Sequence, residues 1–279
     1  MHRKTALCFP NTSQKGFYAM NQHKSITELK FISRMQMNGK MGILIAAMFI
    51  EVIISTLAPF LVSRMIPITS NFSLILYYIV TFIVQLLIYV LQVGVCLFHL
   101  HVACEMPCQI SDLFYGFKNS PDKAIKLGLF FTLINFVCMI PSYFVQPDVI
   151  PILRQLATSS SDNIELLQML YSAMLPSLLV FQLCSLVYFI VTISFFPALY
   201  MILDFPKDNI TTILKRCWKV MSGNRLRYFI LNLSFVPMIL LSLILGGIPL
   251  LWIIPHMQVS FANFYLDLIT NRPSQNNVS

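Results

Sequence analysis

The stretch from Phe72 to Ala103 runs for 32 residues without an Asp, Glu, Lys or Arg. A helix needs about 20 apolar residues to cross the roughly 30 Å hydrocarbon layer of a bilayer, so this segment dictates a spanning helix that tilts or extends past the lipid. It has company. Comparable apolar runs lie at about Met41 to Val62, Leu127 to Val145, within Ile164 to Leu203, Tyr228 to Leu245 and Ile248 to Ile269. Only 11% of the chain is charged and 57% is apolar, whereas an ordinary soluble domain carries about 25% charge. A water-soluble globule is excluded. The expected fold class is all-α, a polytopic transmembrane bundle of about six spans with amphipathic helices on its inner face.

Punctuation divides these runs. Pro107 ends the second span, and the run from Ile164 to Leu203 is too long for one crossing, so an interfacial start is expected before Pro176 and a crossing from there to about Tyr200. Asp204 and Pro206 close it. Gly246 and Gly247 permit a tight reversal into the last span, which is the least apolar and contains Pro255, His256, Gln258 and Asn263. A re-entrant or interfacial segment is the competing reading for that piece.

Basic residues set the orientation. The net charge is +8, and 17 of the 19 Lys and Arg residues fall in segments that are inside if both termini are cytoplasmic. Arg64 and Arg154 alone lie in the outer loops. This is the positive-inside pattern, so the excess reads as topogenic charge facing anionic lipid headgroups and not as a nucleic-acid surface. No apolar core with a small-residue cleavage site lies near the start, so no cleaved signal peptide is expected. The organisation expected is a disordered basic leader over 1–24, a transmembrane domain over 25–270 and a polar tail over 271–279. Within the polar residues 1–40, Ser25 and Thr27 precede Glu28, Leu29, Phe31, Ile32 and Met35, spacing that suits a short amphipathic helix on the inner membrane surface. A second, over Ile210 to Met221, interleaves Lys215, Arg216 and Lys219 with apolar residues and sets Trp218 at headgroup depth. Most cysteines, Cys96, Cys104, Cys138 and Cys184 among them, sit in or beside apolar runs, so no oxidative crosslink is expected.

A shift of 99 positions places Phe82 on Phe181, Leu87 on Leu186, Tyr89 on Tyr188, Glu105 on Asp204, Pro107 on Pro206 and Lys126 on Arg225. The expected repeat units run over about 72–146 and 164–246, followed by the final span over 248–269. Two spans per unit make these parallel repeats.

The stretches Asp112-Leu-Phe-Tyr-Gly-Phe-Lys118, Ala198 to Asp204-Phe-Pro206, Met221-Ser-Gly-Asn224, Gly247-Ile-Pro-Leu-Leu-Trp252, Pro255-His256 and Ala262-Asn-Phe-Tyr265 resemble a bacterial family of integral membrane proteins, domain of unknown function 975. The resemblance covers about Ser25 to Leu268, with His256 standing where a tyrosine is expected. It implies a polytopic protein of the bacterial cytoplasmic membrane. It carries no activity and no functional residue.

Glu51 is the sharpest candidate. An ionisable group inside a span costs about 2.5–3.5 kcal/mol on insertion scales and needs a partner, water or a proton. Gln85 and Gln92, seven apart on one face of span two, and Gln182 in span four are its candidate partners in a substrate or ion pathway; the alternative is a residue that only fixes helix packing. Glu105, Pro107, Asp204, Pro206 and Trp218 read as helix stops and interfacial residues. His99, His101, Cys104 and Cys108 could ligate a metal, but their spacing spreads them over different helix faces, so no metal or other cofactor is expected. No phosphate-cradling loop, Gly-x-Ser-x-Gly or His-Glu-x-x-His occurs, and no enzyme is expected. The functional classes that survive are transport, export or service to a membrane complex whose partner the sequence does not name. A lipid-sensing structural or stress-response scaffold is the first alternative, and a membrane-embedded enzyme acting on lipids through Glu105 or Asp204 is the second.

Overall fold

A computed structural model describes residues 23–67, 70–119, 121–145, 152 and 164–270. The expectations for most of the leader, the loop 146–163 and the tail 271–279 lie outside them. Every described element is helical: α1 (Ile26–Met37), α2 (Met41–Met65), α3 (Asn71–Ala103), a 3-10 turn (Ile110–Phe114), α4 (Tyr115–Lys118), α5 (Pro121–Phe144), α6 (Ile164–Thr192), a 3-10 turn (Ile193–Phe195), α7 (Ala198–Asp204), α8 (Ile210–Met221), α9 (Arg225–Leu233), α10 (Val236–Ile244) and α11 (Leu250–Thr270).

Five stretches are long and apolar enough to cross a membrane: Met41–Met65, Phe72–Ala103, Pro121–Ser142, Ile164–Asp204 and Arg225–Ile244. The sixth expected span, α11, is a regular 21-residue helix but falls outside that set. The physical reason is burial. Twelve of its residues, His256, Asn263 and Asp267 among them, are enclosed by protein, so its polar groups meet side chains and need no apolar disguise.

The chain divides into two compact units, Met1–Leu129 with Ser194–Ser279, and Phe130–Ile193. In the first, α1 packs chiefly on α11, and α3 meets α2, α11, α7 and the segment Ile110–Lys118. Its core gathers at one end of the long helices. The first part of α3 has no buried residue, whereas from Val90 to Ala103 it is buried almost all round. The second unit comprises the rest of α5 and all of α6. Its side chains are largely exposed, and the hydroxyls of Ser142, Ser172, Ser177 and Ser185 donate to carbonyls of their own helices. Such surfaces are suited to contact with lipid.

Local chemistry places the breaks. Ser25 caps α1 by accepting from the Glu28 N–H at 3.2 Å, as its Ser-x-x-Glu spacing demands. The buried face of α1 is Leu29, Ser33 and Met37, turned toward protein, while Phe31 and Met35 are exposed; the helix is not a simple membrane-surface ribbon. Pro176 does not divide α6, because one proline removes one backbone donor and a long apolar helix absorbs the loss. The break falls instead at Ile193–Phe195, with Pro197 as the N-cap of α7. Helix α5 begins at Pro121, six residues before the apolar run, since proline suits a first helical position and Asp122 suits the first turn.

Helix α3 ends in a Schellman motif: Met106 N–H donates to the His101 carbonyl at 2.8 Å and Glu105 N–H to that of Val102 at 3.1 Å. This puts Glu105 at φ 56°, a left-handed conformation that glycine adopts freely. We expect Glu105→Gly to stabilise the protein by about 0.5–1 kcal/mol, net of glycine's unfolded-state entropy, read as a raised thermal midpoint in detergent. Asp204, which the 99-residue shift sets on Glu105, lies inside the last turn of α7 instead. The two connectors also differ, a 3-10 turn with one helical turn against the 12-residue α8.

The expectation of no crosslink fails at Cys104, which is disulfide-bonded. The burial argument applies to thiols within helices, and Cys104 is the C-cap of α3, beyond them. Cys96, Cys184 and Cys217 are buried free thiols.

Candidate functional site

Helix α2 turns Leu44, Ala47 and Met48 into the protein, and Glu51 continues that face one turn further on. Its Oε1 accepts a hydrogen bond from Gln92 Nε2 at 3.0 Å. The pair joins two of the five apolar helices. Of the three glutamines named as partners, Gln92 reaches Glu51; Gln85 is half-buried two turns earlier on α3, and Gln182 is exposed on α6 in the other unit. Within the first unit, Glu51 with Gln92 is the contact described among the four residues expected to line a pathway.

What lies beside Gln92 on α3 gives the pair its setting. A Cβ built on Gly94 would stand 1.9 Å from the Leu113 carbonyl oxygen, and one on Gly116 would stand 2.1 Å from that of Val90. The two bare backbones therefore dock the amphipathic segment Ile110–Lys118 against the turn of α3 that holds Gln92. Gly128 of α5 packs on Tyr89 in the same region. Asp112 fixes the segment's start by accepting from Gln109 N–H at 3.0 Å and lying 3.0 Å from His101 Nδ1.

A second polar cluster runs along α11. Asp267, 5% exposed, accepts from Arg227 Nη2 at 2.8 Å and from Lys24 N–H at 3.1 Å, and it lies 3.1 Å from His23 Nδ1. One helical step away, Asn263 Nδ2 donates to Ser33 Oγ at 2.9 Å and Gln36 Oε1 at 2.6 Å, while Gln36 Nε2 donates to the Ala103 carbonyl at 2.7 Å. His256 Nε2 lies 2.9 Å from the Lys30 carbonyl oxygen. In the sequence, His256 and Asn263 stand only as polar interruptions of the last apolar run. The signal was their spacing: His256, Ser260, Asn263 and Asp267 step by four, three and four, one stripe of a helix.

The remaining candidates have structural employment. Asp204 accepts from the Tyr265 hydroxyl, whose ring stacks on Tyr200 at 4.9 Å, and Pro206 offers its carbonyl to Lys123 Nζ. Glu105 and Pro107 are exposed beyond α3. Trp218 is half-exposed on α8, whose Ile213, Cys217 and Met221 are buried; the Arg225 guanidinium lies 4.0 Å from its ring centroid. His99 Nδ1 lies 2.8 Å from the Val95 carbonyl, and His101 meets Asp112. Among the described residues no group of three or more His, Cys, Asp or Glu is placed to hold a metal ion.

Several of the stretches that carry the family resemblance contribute to this packed end: Leu113, Gly116, Ala198, Ala262, Phe264 and Tyr265 are all buried. A family model, described as protein of unknown function (DUF975), matches residues 20–272. The chain belongs to the DUF975 family. Membership covers α1 through α11, so both the Glu51–Gln92 contact and the α11 cluster lie within the family's own extent. No curated protein and no solved structure matches the chain.

Proposed function

We propose that this DUF975 protein works within the cytoplasmic membrane in transport, in export or as an accessory subunit of a membrane complex, without catalysis of its own. The observation that carries this reading is the Glu51–Gln92 hydrogen bond between two apolar helices. A carboxylate kept there is costly, and it is retained where ions, protons or polar substrates pass. The residues from Asn71 to Gln92 make a helical length of about 32 Å, and the amphipathic segment Ile110–Lys118 docks just beyond. Glu51 itself lies about 15 Å of helix beyond Met41, where the first apolar span begins, so we read the pair as standing within the hydrocarbon layer.

The orientation proposed keeps both ends inside. Contact between His23 and Asp267 brings the start of α1 to the end of α11, and Tyr228 with Phe264 and Phe235 with His256 pack α9 and the start of α10 on α11. Positive charge on the inner segments supplies the sense. A scaffold that reads lipid headgroups is the second reading, favoured by exposed Trp218, Lys215 and Lys219 on α8.

Proteoliposomes loaded with a broad panel of ions and peptides test the leading reading. We expect flux with the wild-type protein and at least about a tenfold loss with Glu51→Gln, which removes the ionisable group and keeps an acceptor oxygen for Gln92, at an unchanged reconstituted amount. Flux absent from both proteins across the panel counts against transport.

A further inference from the structure

A cleft of about 430 Å³ opens between α1, the start of α2, α10 and α11. Its polar end is Arg34 with Asn38; its wall is Met37, Met41, Met238 and Trp252. Among the described residues no carboxylate lines it, and Arg34 is exposed and makes no hydrogen bond or ion pair. Arg34 and Asn38 precede Met41, where the first apolar span begins, so the cleft grades from cationic to apolar across the foot of that span.

From this grading we propose that the cleft is a binding site for one membrane phospholipid with an anionic headgroup, its phosphate held by Arg34 and Asn38 and an acyl chain laid along Met41, Met238 and Trp252. Charge complementarity argues for the headgroup. Lys30 stands one turn before Arg34 on α1, and burial together with the Arg34 charge holds its ammonium below the ordinary lysine range. Like charges at that spacing repel, and an anion at Arg34 relieves them. The wall argues for the tail. Unbranched methionine side chains reshape around a flexible chain, and a half-exposed tryptophan suits the level where lipid head and tail meet. Free phosphate would satisfy Arg34 but leave the methionine wall in water, which disfavours it as the occupant.

This inference rests on the membrane reading above, and the test separates the two. Trp252 is the only tryptophan left in a Trp218→Phe protein, since the chain has two. That protein is placed in bilayers of phosphatidylcholine with a minor share of phosphatidylglycerol, with bromine on the acyl chains of one lipid or the other. We expect brominated phosphatidylglycerol to quench Trp252 about fivefold more per mole than brominated phosphatidylcholine, the factor for one surface cation. Arg34→Gln should abolish the preference, and Arg34→Lys should keep most of it, with melting unchanged in both. Equal quenching by the two lipids in the parent protein, or a preference that survives Arg34→Gln, overturns the site while leaving the membrane reading intact. No quenching by either lipid overturns both.

Discussion

Gly94→Ala should lower stability by about 3 kcal/mol or more, at the upper end of what overpacking costs. The new methyl would sit 1.9 Å from the Leu113 carbonyl oxygen, a backbone atom that no rotamer change can move away. Relief requires the segment Ile110–Lys118 to leave α3, which uncovers Leu113 and strips the protein from beside Gln92. Gly42→Ala is the control: Gly42 also lies in a helix, but a Cβ there meets nothing within 4 Å. That change should raise stability by up to about 1 kcal/mol. Thermal midpoints in detergent read both. Maleimide labelling of Cys108, a half-buried free thiol just before the docked segment, should rise in Gly94→Ala. A Gly94→Ala protein that melts and labels like the parent would show that the two backbones do not touch.

Why that docking escaped the sequence is instructive. Long apolar runs announce spans because lipid imposes one local rule on every residue, and the ends of α2 and α3 fall within a few residues of where hydropathy puts them. Caps are equally local: Ser25 with Glu28 predicts the start of α1, and the basic helix over Ile210 to Met221 emerges with those bounds. Docking of one backbone on another is not local. Gly94 and Gly116 are single glycines 22 positions apart, and nothing nearby in sequence says that one meets the backbone of Leu113 and the other that of Val90. The Glu51 partner was half legible, since Gln85 and Gln92 share a face of α3 and only tertiary packing chooses between them.

The last helix shows the opposite failure. Hydropathy treats every residue as if it faced lipid, so the polar groups of α11 weaken its reading as a span and suggest a marginal one. In the folded chain those same groups are its attachments to α1 and α9. A helix surrounded by protein obeys hydrogen-bond bookkeeping in place of lipid solubility, and only its stripe of His256, Ser260, Asn263 and Asp267 discloses that from sequence.

That stripe makes Asp267→Ala the second large effect we expect, a loss of about 3–5 kcal/mol. The carboxylate has 1% of its side chain exposed and accepts from Arg227 and Lys24. Deleting it leaves the Arg227 guanidinium, itself only 23% exposed, without its carboxylate, and a charge stranded there costs more than the pair contributed. The Lys24 carbonyl also accepts from Arg227 at 2.7 Å, so the loss should spread to α1. Protease cleavage after Lys24 or Lys30 should quicken before the protein as a whole melts, as local opening requires. The double variant Asp267→Asn with Arg227→Gln removes both charges and keeps two amides in place. It should recover more than 1 kcal/mol relative to the sum of the single changes, as groups in direct contact do. Additive losses would mean that Asp267 and Arg227 act separately.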